Sequence, residues 1–232
     1  KVILKGSNTG DKVYTGKATE NNKNASIKIS NIETDDNYVL TADIYDKSGN
    51  LTTLSVSFSV NKNGSTFVFE QKDYAEGKYI NKALRPSIKI SNVDAVEIVS
   101  LTLNGKAVSY SFENGVLVFD EEVQEEGKQV IDLIVRDAAG NVNNKTIEFF
   151  YDATKPKNII TGVEDGKVYF DTLTINLVRE NKNDKIKMIK VNDKELTEAD
   201  YTVNEDGSIT LTLTEFMDYK ISFQTVDEAG NE

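Results

Sequence analysis

The feature that most constrains this chain is a motif that occurs three times at nearly constant spacing. Each copy is a run of alternating apolar residues that ends in Asp, two variable residues, Gly and Asn. The motif glycines Gly49, Gly140 and Gly230 are 91 and 90 residues apart. This period is the size of one β-sandwich domain and is too long for the repeat of a solenoid. The sequence therefore predicts tandem copies of one small domain.

The motif itself predicts a β-hairpin. In the first copy every second residue from Tyr38 to Ile44 is apolar, which is typical of a strand with one buried face. Within the turn the Asp side chain can accept backbone N–H groups, and Gly supplies a positive φ. The residues to which we assign this structural role are Asp46, Gly49, Asn50, Asp137, Gly140, Asn141, Asp227, Gly230 and Asn231.

Further turn dipeptides, such as Asn104-Gly105 and Asn114-Gly115, lie between apolar runs and indicate more hairpins. No segment carries an apolar stripe at helical spacing over three turns. We therefore predict an all-β fold of tandem immunoglobulin-like β-sandwiches in an elongated array. The predicted modules are residues 1–62, incomplete at the N-terminal side, residues 63–153, complete, and residues 154–232, without the last strand.

Charge excludes several classes of partner. The formal net charge is −11, so phosphate backbones and anionic lipid surfaces are repelled. Arginine, which supplies most bidentate phosphate and base contacts, occurs only at Arg85, Arg136 and Arg179. No apolar run reaches the length of a transmembrane helix. We predict neither nucleic-acid binding nor membrane insertion.

Catalytic residue types are scarce. The chain has no histidine and no cysteine, which excludes Ser-His-Asp and Cys-His nucleophile systems, disulfides, and thiolate or histidine zinc sites. Glu121, Glu122, Glu125 and Glu126 could supply the paired carboxylates of a glycosidase. Because the chain has 38 acidic residues, such a cluster is expected by chance, and a solvated loop is the simpler interpretation. We predict no enzyme activity, no catalytic residue and no cofactor.

Asp152, Asp165 and the three turn aspartates are the oxygen ligands that calcium prefers, but their spacing matches no calcium loop, so no metal site is assigned. The abundance of Lys and Asn is also compatible with an isopeptide crosslink between a Lys and an Asn side chain.

Tyr38 and Tyr219 each precede their turn Asp by eight residues, with Gln129 at the equivalent place. This arrangement resembles a tyrosine corner and predicts a packing role.

One surface is a candidate binding face. In the middle module, residues that alternate with the core positions of two strands are also apolar, and a third strand adds one more. Apolar groups on an outer face can mark a protein or glycan contact, although cover by a loop or a neighbouring module is the alternative. The candidate residues are Ile98, Val130, Ile134 and Phe150.

Two stretches carry a resemblance to a known family. Residues 137–141 read DAAGN and are followed by KTIEF at 145–149, and residues 162–169 read GVEDGKVY. These stretches resemble the bacterial immunoglobulin-like repeats of Gram-positive surface proteins. The resemblance implies stalk or adhesion modules of cell-wall-anchored proteins, or accessory domains beside secreted glycan-degrading enzymes.

These observations predict a non-catalytic, extracellular spacer and adhesion region of a bacterial surface protein, at the cell surface or secreted. Its expected partners are a host protein or glycan and neighbouring immunoglobulin-like modules of the same chain. The alternative is a set of accessory modules of a secreted glycoside hydrolase. A cell-wall anchor elsewhere in the parent protein would favour the first function, and a catalytic domain would favour the second.

Overall fold

A computed structural model of the protein describes residues 1–14, 29, 31–70 and 77–232. The described residues form β-strands joined by turns and contain no helix, which confirms the all-β prediction. Within these ranges there is accordingly no helical segment that could cross a membrane. Strands dominate because Val, Ile, Thr and aromatic residues alternate with polar ones, a pattern that suits a half-buried pleated surface.

The strands occupy the following ranges. They are β1 (Val2–Gly6), β2 (Gly10–Tyr14), β3 (Asp36–Tyr45), β4 (Leu51–Val60), β5 (Thr66–Phe69), β6 (Tyr79–Ile80), β7 (Ser87–Ser91), β8 (Val96–Leu103), β9 (Lys106–Ala107), β10 (Tyr110–Glu113), β11 (Val116–Phe119), β12 (Gly127–Asp137), β13 (Val142–Tyr151), β14 (Asn158–Thr161), β15 (Leu173–Arg179), β16 (Lys185–Val191), β17 (Lys194–Glu195), β18 (Thr202–Val203), β19 (Ile209–Leu213) and β20 (Ile221–Val226).

The middle repeat contains two sheets in the strand order of an immunoglobulin domain. One sheet has the order β10-β11-β7-β5, and the other has the order β6-β13-β12-β8-β9. In immunoglobulin nomenclature these are the DEBA sheet and the GFC sheet, the latter extended by a short strand at each edge. The short β6 pairs parallel with β13, whereas β12 and β8 pair antiparallel.

The first and third repeats reuse parts of this plan. The third repeat has one sheet of order β14-β15-β19-β18 and one of order β17-β16-β20, which correspond to ABED and to the C and F strands. The described residues of the first repeat form a single sheet of order β2-β1-β3-β4, which corresponds to C, F and G with an added edge strand. The chain is thus a set of tandem immunoglobulin-like β-sandwich repeats.

Contacts between Cα atoms divide the chain into two compact units. The first comprises Lys1–Gln71, Pro86–Asp120 and Val130–Ile147, and the second comprises Lys72–Arg85, Glu121–Gln129 and Glu148–Glu232. This division does not follow the module boundaries after residues 62 and 153, which stay predictions.

Each unit has its own buried apolar residues. In the first unit Ile88, Leu117, Ile131 and Leu133 are fully buried. The second unit contains a core whose buried members are Ile175, Leu177, Ile189, Ile209 and Leu211. These residues recur at every second position of their strands, so the alternation in the sequence reports the buried face.

The predicted buried face of the first repeat is buried only in part. The register pairs Tyr38 with Phe58, and the two rings stack 5.7 Å apart. On the same face, however, Ile44 is 52% exposed and Val56 is 53% exposed. The prediction of a fully buried face is therefore wrong at this end of the strands, because no second sheet formed by described residues covers it.

Candidate functional site

In the Asp-x-x-Gly-Asn turn of the middle repeat, the side chains and backbone groups hydrogen-bond to one another. The Asn141 backbone N–H donates to Asp137 Oδ1 at 2.8 Å, and Asn141 Nδ2 donates to Asp137 Oδ2 at 2.9 Å. The N–H of Gly140 donates to the carbonyl of Asp137 at 3.1 Å. Gly140 has φ 90°, a backbone conformation that residues with a Cβ atom rarely adopt. Backbone and side chains of the turn thus satisfy one another.

The other two copies of the turn have the same geometry. Asn50 and Asn231 donate their backbone N–H to Asp46 and Asp227 at 2.8 Å in each case, and their side-chain amides donate to the second carboxylate oxygen. Hydrogen bonds from the side chain and backbone of Asn50 hold the pKa of Asp46 below its ordinary value. The turn aspartates therefore act as acceptors of N–H groups.

The turn asparagine also holds the segment at which each predicted joint begins. Asn141 Nδ2 donates to the backbone carbonyl of Asn61 at 2.9 Å, and Asn231 Nδ2 donates to the backbone carbonyl of Asp152 at 2.8 Å. Asn61 and Asp152 lie 91 residues apart, which is one repeat period. Each of these asparagines therefore ties a hairpin turn to the segment between two repeats.

At the first joint, amide groups surround the turn carboxylate. Asn61 Nδ2 donates to Asp137 Oδ2 at 2.8 Å, and Asn92 Nδ2 donates to the same oxygen at 3.2 Å. Asp137 is only 5% exposed. Burial acts to raise the pKa of Asp137, but the hydrogen bonds from Asn141, Asn92 and Asn61 outweigh it and lower the pKa below its ordinary value. The buried carboxylate is therefore ionised and fully paired with amides.

A second carboxylate holds the next residues of this joint. Asp35 accepts the backbone N–H of Lys62 at 2.8 Å and that of Asn63 at 2.9 Å. These two backbone hydrogen bonds are the main cause of the lowered pKa of Asp35. Two residues further, the Ser65 N–H donates to the Asn143 side-chain oxygen at 2.8 Å. The joint is thus hydrogen-bonded residue by residue.

The second joint has different electrostatics. Asp152 occupies the position of Asn61 and brings a carboxylate where the first joint has an amide. Asp184, only 3% exposed, lies nearby. Burial raises the pKa of Asp184, and the Asp227 carboxylate raises it further, whereas Arg179 opposes the shift. The buried carboxyl group of Asp184 is therefore disfavoured in its charged form.

Other groups at the second joint form hydrogen bonds, although the buried Arg179 Nε has no partner among the described residues. The Arg179 guanidinium donates to the backbone carbonyl of Asp184 and, at 2.7 Å, to that of Gly207. Glu126 accepts the Ala153 N–H at 2.9 Å and also the Thr154 hydroxyl. Glu126 belongs to the acidic cluster interpreted above as a solvated loop, and here it holds the linker. In the part of the chain that the structure describes, no group of three or more acidic residues is placed to hold a metal ion.

The three corner residues form matching hydrogen bonds. Tyr38 Oη donates to the Thr34 carbonyl at 2.8 Å, and Tyr219 Oη donates to the Glu215 carbonyl at 2.9 Å. Gln129 Nε2 makes the equivalent bond to a carbonyl four residues upstream, at 2.7 Å. An amide thus replaces the phenol in the middle repeat with the same reach along the chain.

The candidate binding residues are placed differently from one another. Val130 is half-buried and Ile134 is 36% exposed, four residues apart on the same side of β12. Ile98, in contrast, is paired with the fully buried Val135. The reason is a register shift between Ile134 and Val135, where β8 has an extra residue, Val99, so the residues of β8 before it change faces. Directly opposed residues share a face, so the register places Ile98 on the face of Val135 rather than on that of Ile134.

Phe150 has a partner within its own unit. Its ring stacks on Tyr79 with centroids 4.8 Å apart and an interplanar angle of 18°. The Phe150 N–H also donates to the Lys78 carbonyl at 2.9 Å, as part of the β6–β13 pairing. The side chain is half-buried by this stack.

The third repeat contains a cavity that sequence patterns do not reveal. It has a volume of about 810 Å³ and lies between the loop at 163–171 and the loop at 213–219. Four large apolar side chains on these loops are exposed: Val168, Phe170, Phe216 and Met217. They sit outside any alternating pattern, so strand periodicity carries no signal for them.

No protein-family model and no curated protein matches the sequence. The fibronectin(III)-like modules of CbhA from Clostridium thermocellum are similar with 12% identity over 72% of this chain and 88% of theirs, at a TM-score of 0.37. The N-terminal eight Ig domains of DSCAM are similar with 14% identity over 99% of this chain and 35% of theirs, at a TM-score of 0.33.

A third similar structure is SGBP-B of the mixed-linkage glucan utilization locus of Bacteroides ovatus, in complex with a mixed-linkage heptasaccharide. It is 15% identical over 99% of this chain and 55% of that chain, at a TM-score of 0.22. TM-scores in this range carry no argument about family or function. The fold class rests instead on the sheet orders, and the resemblance to Gram-positive surface repeats stays a prediction.

Proposed function

We propose that this chain is a non-catalytic, extracellular spacer region of a bacterial surface protein, and that it contacts a host protein or glycan. The observation that carries the spacer role is the pair of turn asparagines, Asn141 and Asn231, whose side chains hydrogen-bond the linker backbone at Asn61 and Asp152. A spacer must keep the short segments between its repeats from opening, and buried side-chain hydrogen bonds to the backbone do so.

The spacer role is tested at the first joint. Replacing Asn141 with Ala removes the side-chain hydrogen bonds to Asp137 and to the Asn61 carbonyl. We expect amide hydrogen exchange at residues 61–65 to accelerate about fivefold, because the lost hydrogen bond to the Asn61 carbonyl contributes roughly 1 kcal/mol. Hydrogen-exchange mass spectrometry with peptide resolution measures this rate.

The matched control is Asn144→Ala, an exposed position on β13, the strand that follows the turn, and it should leave the exchange rate of the linker unchanged. Equal exchange at residues 61–65 in wild type, Asn141→Ala and Asn144→Ala would contradict the locking role of the turn asparagine.

The adhesion role is supported by the outward Val130 and Ile134 on β12. It is tested by binding of the whole chain to an array of host glycans, mucins and matrix proteins, with Ile134→Ser beside the control Val142→Ser, which is also exposed. Selective binding that only Ile134→Ser abolishes supports adhesion through this strand. No binding across the array would reduce the proposal to a spacer.

A further inference from the structure

Three Asn-Gly pairs occur in the sequence, and the structure holds them to different degrees. They are Asn63-Gly64, Asn104-Gly105 and Asn114-Gly115. An Asn that precedes Gly can rearrange without an enzyme, because glycine has no side chain to shield its backbone nitrogen from the side-chain amide carbon of the asparagine. The asparagine side chain must leave its native contacts to reach that nitrogen. The hydrogen bonds at each pair therefore determine which pair reacts.

Two of the pairs have the same turn geometry. Asn104 and Gly105 have φ 51° and 77°, and Asn114 and Gly115 have φ 52° and 78°. The first pair joins β8 to β9 and the second joins β10 to β11, in each case as the two residues of a tight antiparallel hairpin. Both asparagines are exposed. Backbone conformation and solvent access therefore do not distinguish Asn104 from Asn114.

Contacts outside the turn do distinguish them. The Asn104 N–H donates to the Val130 carbonyl at 2.8 Å, and Asn104 Oδ1 accepts the Val130 N–H at 2.8 Å. These two bonds hold both the backbone and the side chain of Asn104 against β12. The side chain of Asn114 has no hydrogen-bond partner among the described residues. It is therefore free to turn towards Gly115.

The remaining pair is held at both of its reacting groups. Asn63 Nδ2 donates to Asp35 Oδ2 at 2.9 Å, which fixes the side-chain amide. The Gly64 N–H donates to Asn61 Oδ1 at 3.1 Å, which occupies the nitrogen that would attack. The first joint thus protects its own Asn-Gly pair.

We propose that Asn114 is a site of spontaneous deamidation and that hydrogen bonds protect Asn63 and Asn104. The backbone nitrogen of Gly115 forms a bond to Cγ of Asn114, and the bond between Cγ and Nδ2 breaks. Ammonia leaves with the proton of the Gly115 N–H, and a five-membered succinimide ring remains. Water then opens the ring at one of its two carbonyl carbons, which gives aspartate or isoaspartate at this position.

The isoaspartate product changes the hairpin. Its peptide bond passes through the former side chain, so the main chain is one atom longer at the tip of the hairpin. The Gly115 carbonyl accepts the Ile90 N–H at 2.7 Å, and β10 lies at the edge of its sheet. A longer tip displaces this bond and the pairing of β10 with β11. Ageing at Asn114 therefore loosens one edge of the middle repeat, whereas the aspartate product keeps the length of the chain.

The test follows the three pairs in one sample of the whole chain. The protein is incubated at mildly alkaline pH, and peptide mapping by mass spectrometry measures the conversion of amide to acid at each pair. In the folded chain we expect Asn63 and Asn104 to react about thirtyfold more slowly than Asn114, because two hydrogen bonds must open first at each of them. In concentrated urea, which removes these bonds, the three pairs should react at similar rates.

Two variants separate the chemistry from its consequence. Asn114→Gly keeps a residue that adopts positive φ, so the turn is retained and the acidic product at this hairpin disappears. Asn114→Asp carries the new charge without the longer backbone. We expect aged wild type to melt at a lower temperature than Asn114→Asp, as measured by circular dichroism, and aged Asn114→Gly to melt as it does when fresh.

Two results would overturn the proposal. One is equal rates at Asn104 and Asn114 in the folded chain. The other is that urea accelerates the reaction at Asn114 as much as at Asn104, since the turn itself would then protect Asn114. If aged wild type melts like Asn114→Asp, the loosening of the hairpin is contradicted. None of these results bears on the spacer role, which is tested at Asn141.

Discussion

At the scale of single residues, the turn asparagine uses both donors of its short side-chain amide. Its Nδ2 group has two N–H donors, and Asn141 directs one to the Asp137 carboxylate and the other to the Asn61 carbonyl. Aspartate has no donor and serine has one. The same side chain therefore closes the turn and ties down the linker.

Asp36 is a second residue whose role depends on hydrogen bonds to an ionised group. Its carboxylate is fully buried and accepts the backbone N–H groups of Asn8 and Thr9, each at 2.8 Å. Burial acts to raise the pKa of Asp36, but these bonds outweigh it and lower the pKa to about 2. Because the folded pKa is below the ordinary value, ionised Asp36 stabilises the fold above about pH 4, and this contribution is lost as pH falls through about 2.

We therefore expect Asp36→Asn to lower the melting temperature at pH 7 and to have little effect near pH 2. Circular dichroism melts between pH 2 and pH 7 measure the difference from wild type. Asp11→Asn, at an exposed position on β2, serves as the control. A destabilisation of equal size at both ends of the pH range would exclude the ionised form as its origin.

Asp184 affects the pH dependence of stability in the opposite direction to Asp36, because its pKa is raised rather than lowered. Burial and the Asp227 carboxylate raise its pKa, and none of the described residues donates a hydrogen bond to its carboxylate. A raised folded pKa means that stability falls as pH rises from the unfolded value, 3.8, through the folded value. The charged group therefore destabilises the second joint at neutral pH.

Asp184→Asn should accordingly raise the melting temperature at pH 7. A gain of about 1 kcal/mol corresponds to about 2–4 °C for a protein of this size, and the gain should shrink below pH 4. Differential scanning calorimetry of this variant, with the exposed Glu205→Gln as reference, provides the measurement. A loss of stability at neutral pH would show that the carboxylate has a partner that stabilises it.

At the scale of strands, β13 contributes to both faces of its sheet. Phe149 is fully buried, whereas Phe150 lies on the opposite side and stacks on Tyr79. Stacked aromatic pairs contribute about 0.5–1.5 kcal/mol beyond their buried area. The outer face of the strand is therefore structural where β6 runs alongside it.

Phe150→Ser should lower the melting temperature by about 4–8 °C, because the stack and the apolar contact together contribute roughly 2 kcal/mol. Val142→Ser changes an exposed residue of the same strand and should have little effect. A melting temperature unchanged by Phe150→Ser, combined with loss of a ligand, would identify Phe150 as a binding residue instead.

A register shift decides the other disagreement at this scale. The shift between Ile134 and Val135 breaks the alternation of β8, so Ile98 and the exposed Val99 exchange the faces that strict alternation predicts. Strict period-two counting assigns every residue after such a bulge to the wrong face. The sequence around Ile98 contains no Gly or Pro that would signal the bulge.

At the scale of the whole molecule, the repeats share one plan and differ at their joints. The first joint surrounds Asp137 with asparagine amides, whereas the second replaces Asn61 with Asp152 and adds the buried Asp184. The corner residue likewise changes from Tyr38 to Gln129 and keeps its hydrogen bond. Local geometry is thus retained while charge varies from repeat to repeat.

The all-β class, the repeat period and the position of each hairpin turn follow from the sequence alone. These depend on local chemistry: alternation of apolar residues, the acceptors of Asp137 and the positive φ of Gly140. Four features follow from tertiary contacts: the carbonyl that Asn141 binds, the burial of Asp184, the face that Ile98 occupies and the cavity beside Val168. Those features depend on contacts between segments that are far apart in the sequence, and a residue pattern along the chain does not specify which segments come together.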